Sequence, residues 1–347
     1  MRRRRPSGGF ICRWFITNGG YGSRSHCPRL RLRPLRRLRR RLFRSPDPVA
    51  ALGFAWVKCH MAGMDAPPRT IERLGPHLRR LTAPNPSAFT FEGTNSFIVG
   101  TGTVAVIDPG PDNDEHVDRL LAALADETVA AIVCTHTHRD HSPAARLLKQ
   151  ATGAPIVGCA PLAISDDGPR ADAAFDRDYG ADRILADGDR LEGDGWTLEA
   201  VATPGHTSNH LCFAIPEAGA LLSGDHVMGW STTIVSPPDG DMADYMASLA
   251  KLLDRDDAVY HPAHGPPIDK PQRFVRGMIG HRKMREGQIL RHIEAGEGRI
   301  PAMVGAMYRG IDPRLHPAAE RSVLAHLVDL ERRGSVIEEG AEWRLRR

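Results

Sequence analysis

Residues 129–148 read VAAIVCTHTHRDHSPAARLL. The apolar run 129–135 predicts a fully buried strand. Ser142 and Pro143 stand where an N-cap and a first helical residue belong, which predicts a helix over 144–151. Between strand and helix lie four potential metal ligands: His136, His138, Asp140 and His141. Clustered imidazoles and a carboxylate need compensation when they are buried, so this loop predicts a metal site, and its spacing allows two metals.

The sequence around this loop alternates between strand and helix patterns. A hairpin is predicted over 96–110 and a helix over 113–125. Further strands are predicted after the loop, at 154–160, 197–204, 211–215, 219–224 and 257–263. This alternation indicates an α/β layer fold, with ligands bound at the ends of the strands.

A different pattern begins after Lys270. Three helices, at 274–294, 301–308 and 318–333, precede a short hairpin at 335–345, which is the outline of a small winged-helix domain over 271–347. Packing against the catalytic domain, a dimer contact and nucleic-acid binding are all possible roles for it. A homodimer is one expected assembly.

The two ends of the chain differ strongly in charge. Residues 1–45 hold 15 Arg and no acid, whereas 46–275 hold 17 bases and 32 acids. We expect 1–64 to be a disordered Arg-rich extension, read as a transit peptide, a nucleic-acid-binding arm or a start assigned too far upstream of Met61 or Met64. The six cysteines form no CxxC pair, and no apolar run has the length of a membrane span. A cytoplasmic protein without membrane contact is expected.

The ligand loop resembles the signature of the metallo-β-lactamase superfamily. Three later motifs match the remaining ligands of that family in order: TPGHT at 203–207, SGD at 223–225 and PAHG at 262–265. The resemblance implies a four-layer αββα sandwich, here predicted as a catalytic domain over 65–270.

The resemblance also implies the ligand set. It assigns His136, His138 and His206 to one metal ion and Asp140, His141 and His264 to a second, with Asp225 bridging the two. Asp140 and Asp225 are the implied catalytic residues. Two divalent ions, with Zn²⁺ best suited to these ligands, would then generate a bridging hydroxide for a dinuclear, metal-dependent hydrolase.

Within the superfamily, the segments 224–249 and 281–290 together with the C-terminal domain resemble the β-lactamase-like protein 2 group. That resemblance makes single-stranded RNA the leading substrate. A thioester or other small-molecule ester is the alternative, because the acidic charge of 46–275 repels a long polyanion. A metal-binding winged-helix regulator is a hypothesis of another class, and it would require a degenerate site.

Several side chains outside the ligand set are candidates for supporting roles. His226 is expected to be structural, while His210 and His261 are candidates for orienting the ligands. Ser231, Thr232 and Thr233 are candidate substrate contacts or an ordinary polar loop. A small phosphate track or a solvated helix face is predicted for the basic residues Arg276, Arg282, Lys283, Arg285 and Arg291.

Overall fold

The computed structural model describes residues 70–162 and 175–346. The predicted extension over 1–64 lies outside the described residues. Among those that are described, no helix combines the length and the apolar character needed to cross a bilayer.

The first sheet contains seven strands in chain order. The first four pair antiparallel and the last four pair parallel. Their bounds are β1 Glu72–Gly75, β2 Leu78–Thr82, β3 Asn95–Thr101, β4 Thr103–Ile107, β5 Thr128–Cys134, β6 Ile156–Gly158 and β7 Arg183–Ile184. Helices α1 (Asp114–Ala123) and α2 (Ala144–Thr152) make the crossovers that the parallel pairs β4–β5 and β5–β6 require.

The second sheet contains five strands, in the order β12-β11-β10-β9-β8. Their bounds are β8 Arg190–Gly193, β9 Trp196–Ala202, β10 Leu211–Ile215, β11 Ala220–Gly224 and β12 Val259–Pro262. Helix α3 (Met242–Leu253) connects β11 to its parallel neighbour β12, and a 3₁₀ turn at Pro216–Ala218 joins β10 to β11.

Both faces of the second sheet are buried, because successive side chains of β10 pack alternately into two different cores. Leu211 and Phe213 face the first sheet and belong to its core, whereas Cys212 and Ala214 pack with α3. The indole Nε1 of Trp196 donates to Thr103 O at 2.8 Å and ties the two sheets together. With α1 and α2 on the outside of the first sheet, the predicted four-layer αββα sandwich is confirmed.

The C-terminal part has the predicted winged-helix outline. Its elements are α4 Pro271–Glu294, α5 Ile300–Met307, a 3₁₀ turn Pro313–Leu315, α6 His316–Arg332, β13 Val336–Glu339 and β14 Glu342–Leu345. Helix α4 serves two cores, since Val275 and Met278 pack with α3 while Ile289 and Ile293 pack with α5 and α6. The predicted domain boundary at residue 270 stays a prediction.

Two local predictions around the ligand loop were wrong. Strand β5 is buried only from Ala131 onward, because its first residues lie at the end of the sheet far from the loop. Ser142 is not the N-cap of α2, which is Pro143. The Ser142 hydroxyl donates instead to Asp176 Oδ2 at 2.9 Å, a partner that sequence spacing does not reveal.

Strands β1, β2, β7 and β8 were not predicted from the sequence. They are short, and three of them lie toward the outer ends of the two sheets, where burial imposes little hydrophobic pattern.

Candidate metal centre

The seven predicted ligands converge at one edge of the sandwich. The loop 136–141 follows β5 of the first sheet, while His206, Asp225 and His264 follow β9, β11 and β12 of the second. Their side-chain atoms form two groups of potential ligands, each within 4.8 Å. The site is therefore assembled from both sheets.

The first group consists of three imidazoles and a carboxylate. His138 points its Nδ1 toward the centre, where His136 Nε2 lies at 2.9 Å and His206 Nε2 at 3.1 Å. Ligands about 2.0–2.1 Å from a tetrahedral Zn²⁺ are separated by about 3.3 Å, so these spacings suit one ion. Asp225 completes the group, with Oδ2 at 3.7 Å from His206 Nε2.

The second group consists of Asp140, His141 and His264. Asp140 Oδ2 lies 3.5 Å from His141 Nε2 and 3.2 Å from His264 Nε2. Asp225 reaches this group as well, with Oδ2 at 3.6 Å from His141 Nε2 and Oδ1 at 3.3 Å from His264 Nε2. The Asp225 carboxylate thus lies between the two groups, in the position of a bridge.

Unsatisfied atoms in the site fit bound cations. His141 Nε2 and Asp225 Oδ1 are buried without a hydrogen-bond partner, which is costly unless a ligand pairs with them. Burial raises the pKa of both carboxyl groups, but His141 and His264 outweigh it and hold these pKa values below their usual range. Burial, His141 and His138 lower the pKa of His136, so its imidazole is neutral, as metal ligation requires.

Hydrogen bonds at Nδ1 orient four of the five imidazoles. The Nδ1–H of His141 donates to Asp108 Oδ2 at 3.0 Å, and that of His206 donates to Ile234 O at 2.7 Å. His264 Nδ1 faces Gly93 O at 3.3 Å, and His136 Nδ1 faces Thr135 Oγ1 at 3.0 Å. These bonds leave Nε2 of each ring to face the metal.

Asp108 is a supporting residue that sequence reasoning missed. It directly follows β4 and its φ is +47°, a left-handed conformation that is unusual for a residue other than glycine. Besides His141, its carboxylate accepts from Thr135 N and from Thr135 Oγ1, both at 2.8 Å. Its position at the carboxyl end of a strand next to β5 was the available signal.

His210 orients the backbone of the bridging ligand. The amide of Asp225 donates to His210 Nε2 at 3.1 Å, and the opposite nitrogen, Nδ1, lies 2.9 Å from Thr203 Oγ1. Gly224 directly precedes Asp225, and a Cβ at this position would lie 2.5 Å from His210 Nε2. The contact between His210 and the Asp225 amide therefore requires glycine at position 224. The predicted orienting role of His210 is thus visible as a direct contact.

The remaining histidine candidates do not touch the ligands through hydrogen bonds. His226 is fully buried, has no partner on either ring nitrogen and stacks on Tyr245 at 4.7 Å. Burial is the main cause that lowers its pKa to about 3. His261 packs on Phe97 at 6.1 Å, and burial lowers its pKa to about 4.

The structure corrects one candidate in the loop that follows the bridging ligand. Thr233 is buried and its hydroxyl donates to Asp225 O at 2.8 Å, so it faces the interior and is not a substrate contact. Ser231 and Thr232 retain partial exposure.

The predicted basic track on α4 is divided between two environments. Arg282 and Arg285 are buried, at 4% and 5% exposure, so they belong neither to a phosphate track nor to a solvated face. Their guanidinium groups lie over the rings of Tyr245 and Tyr308. Arg276, Lys283 and Arg291 are exposed, as predicted for a solvated face.

Aromatic rings lie beside two of the ligand segments. Phe91 and Trp230 pack with centroids 5.3 Å apart, and Trp230 lies so close to Gly265, the residue after His264, that a Cβ there would be 2.7 Å from its Cδ1. Beside the ligand loop, Phe175 packs against His138 at 5.0 Å. We call Phe91, Trp230 and Phe175 the aromatic rim.

Comparison with protein families finds two matches. The model described as "Metallo-beta-lactamase superfamily" matches residues 89–264, and the model "Beta-lactamase associated winged helix domain" matches residues 300–343. The first matched segment contains all seven ligands, and the second contains helices α5 and α6.

Curated relatives include proteins of two kinds. A "Beta-lactamase-like protein 2 homolog" of Caenorhabditis elegans is 34% identical over 65% of this chain and 74% of its own length. A homologue of the same name in Drosophila melanogaster is 32% identical over 77% and 91%. An "Atrochrysone carboxyl ACP thioesterase" of Cryptosporiopsis is 29% identical over 75% and 77%.

Solved structures share the fold. A metallo-beta-lactamase family protein of Thermus thermophilus superposes with a TM-score of 0.64 at 22% identity, over 79% of this chain and 100% of its own. A beta-lactamase domain protein of Burkholderia ambifaria gives a TM-score of 0.66 at 18% identity, over 82% and 96%.

Proposed function

This chain belongs to the metallo-β-lactamase superfamily of hydrolases, and we propose from that premise that it is a zinc-dependent hydrolase of thioesters or related small carboxylic esters. His136, His138 and His206 would hold one ion and Asp140, His141 and His264 the second, with Asp225 between them. Imidazole and carboxylate ligands favour Zn²⁺ in this arrangement.

The aromatic rim is the observation that carries this choice of substrate. Trp230 and Phe175 are partly exposed and offer apolar surface to an acyl or aryl group, while the buried ring of Phe91 supports Trp230 from below. A long polyanion would be repelled by the net negative charge of 46–275, which hold 32 acids and 17 bases. A relative named as an acyl-carrier-protein thioesterase also supports a thioester substrate.

The hydrolysis of a thioester forms a C–O bond from water and breaks the C–S bond, and the departing thiolate takes up the proton that the water loses. When bound, two divalent ions supply Lewis acidity toward the carbonyl oxygen and lower the pKa of a water molecule toward neutrality. Asp140 and Asp225 are both ionised at neutral pH, because their pKa values lie below the usual range despite burial, so each carboxylate has an oxygen that can accept a proton. We assign the proton to Asp140 Oδ1, which has no hydrogen-bond partner, while Asp225 keeps its place between the two groups of ligands.

RNA phosphodiester hydrolysis is the second candidate. Arg139 is exposed within the ligand loop, next to Asp140, and is a cation at the site that could contact a phosphate. The winged-helix domain adds little to this candidate, because its last helix, α6, packs Ala325 into the core shared with α3. The face of α6 that carries Ala325 is therefore not available to enter a nucleic-acid groove.

The zinc-loaded protein should be assayed in parallel against a short-chain and an aryl thioester of N-acetylcysteamine, a lactone, a β-lactam and single-stranded RNA. We expect turnover of the thioesters to exceed that of the other substrates and to be lost in Asp225→Asn. In Trp230→Leu, the KM of the aryl thioester should rise about tenfold, and that of the acetyl thioester should change less, because a large apolar contact is removed. Multiple-turnover cleavage of RNA with inert thioesters would overturn the proposal in favour of the second candidate.

A further inference from the structure

The loop 230–236 contacts two of the metal ligands at atoms that do not face the metal. Thr233 Oγ1 donates to the carbonyl of Asp225 at 2.8 Å, and Ile234 O accepts the Nδ1–H of His206 at 2.7 Å. The position of this short segment therefore bears directly on the bridging ligand and on one imidazole.

Helices of the C-terminal domain hold the opposite side of the same loop. Arg282 on α4 is buried and donates to the carbonyl of Thr233. Arg321 on α6 donates through Nε to Ser236 Oγ at 3.1 Å. The chain of contacts from α4 to Asp225 thus passes through one residue, with the carbonyl of Thr233 on one side and its hydroxyl on the other.

A second route from Arg282 ends at the residue next to the bridging ligand. The guanidinium lies over the ring of Tyr245, 5.1 Å from its centroid, and the Tyr245 hydroxyl donates to His226 O at 3.1 Å. The backbone of Tyr245 is also fixed against the turn that precedes His206, since a Cβ on Gly205 would lie 2.3 Å from its Cα. Both routes therefore reach the segment 225–226.

The surroundings of Arg282 argue against a role in stability alone. Among the described contacts, its guanidinium meets a carbonyl and an aromatic face and forms no ion pair with a carboxylate. Burying a cation without a counter-charge is costly, and an apolar side chain of similar volume is often as stable or more so. The planar guanidinium can, however, donate to the loop and stack on Tyr245 at the same time, which lysine cannot do equally well.

We propose that Arg282 is a positioning residue for the metal centre, and that through it the C-terminal domain is a structural part of the active site. This inference depends on metal binding by the seven ligands, as proposed above, and not on the identity of the substrate.

The test measures zinc affinity by chelator competition, together with kcat and KM, for the wild type, Arg282→Met and Arg282→Lys. Arg282→Met should weaken the binding of the more loosely held ion about tenfold and lower kcat, because supporting contacts of ligands typically contribute 10–100-fold to metal affinity. The zinc affinity and kcat of Arg282→Lys should fall between those of the wild type and of Arg282→Met. Thr233→Val cuts the first route, so combining it with Arg282→Met should cost less than the sum of the two single changes.

Two controls separate positioning from general stability. Lys283→Gln changes an exposed cation on the same helix and should leave zinc affinity unchanged. Leu327→Ala opens a cavity in the core of the C-terminal domain and should lower the melting temperature without weakening zinc binding. Equal zinc affinity in the wild type and both Arg282 variants would overturn the inference. A wild type that binds no zinc would instead contradict the proposed metal site.

Discussion

At the scale of single residues, the metal ligands could be predicted from the sequence, but some of the side chains that orient them could not. The seven ligands follow motifs that can be read along the chain, but Asp108 lies 33 positions before the imidazole that it orients. Its carboxylate has three donors and fixes both the start of the ligand loop and the tautomer of His141. An isolated Asp-Pro after a strand does not predict this arrangement, because the neighbouring strand has first to be known.

Replacing Asp108 with Asn should weaken zinc binding at His141 by about 10–100-fold, since the neutral amide no longer raises the basicity of the imidazole. Isothermal titration with zinc would measure the change. Asp112→Asn, an exposed acid in the following loop, is the matched control and should bind zinc like the wild type. Unchanged affinity in the Asp108 variant would show that this carboxylate does not support the site.

At the scale of elements, the strands that carry the ligands were predicted, whereas helix α3 and the peripheral strands were not. Strands β10 and β11 carry apolar runs because both of their faces are buried, and such runs are visible in a sequence. Strands β1 and β8 are short, and they lie at the far ends of the two sheets, where little burial marks them. Helix α4 reads as one amphipathic helix, and its division between two cores became visible only in three dimensions.

Between helices α4 and α6, a buried imidazole should make folding sensitive to acid. His326 is 3% exposed, and burial, followed by the nearby side chains of Arg282, His281, Arg333 and Arg285, lowers its pKa to about 3. Below pH 6.5 the unfolded chain binds a proton at this residue that the folded chain does not. Stability from this group is therefore complete above pH 6.5 and decreases as the pH falls toward 3.

The substitution His326→Leu should remove this acid sensitivity. Urea unfolding of the metal-free protein at pH 7.5 and pH 5.0 should show a loss of free energy of unfolding about 2 kcal/mol smaller in the variant than in the wild type. The comparison between two pH values cancels any constant effect of the substitution. An equal loss in both proteins would mean that His326 does not titrate in the unfolding equilibrium.

At the scale of the whole molecule, the metal centre lies where three bodies of structure meet. The loop after β5 brings ligands from the first sheet, three strand ends bring ligands from the second, and helices α4 and α6 hold the loop behind Asp225. Bound ions would therefore cross-link the two sheets.

We expect seven side chains from both sheets to hold two ions, with Asp225 between them. Anomalous diffraction at the zinc edge from crystals of the zinc-loaded protein would locate the ions. We expect two peaks about 3.5–4 Å apart, one ligated by His136, His138 and His206, the other by Asp140, His141 and His264, and both by Asp225. A single peak, or a pair of peaks away from these side chains, would contradict this arrangement.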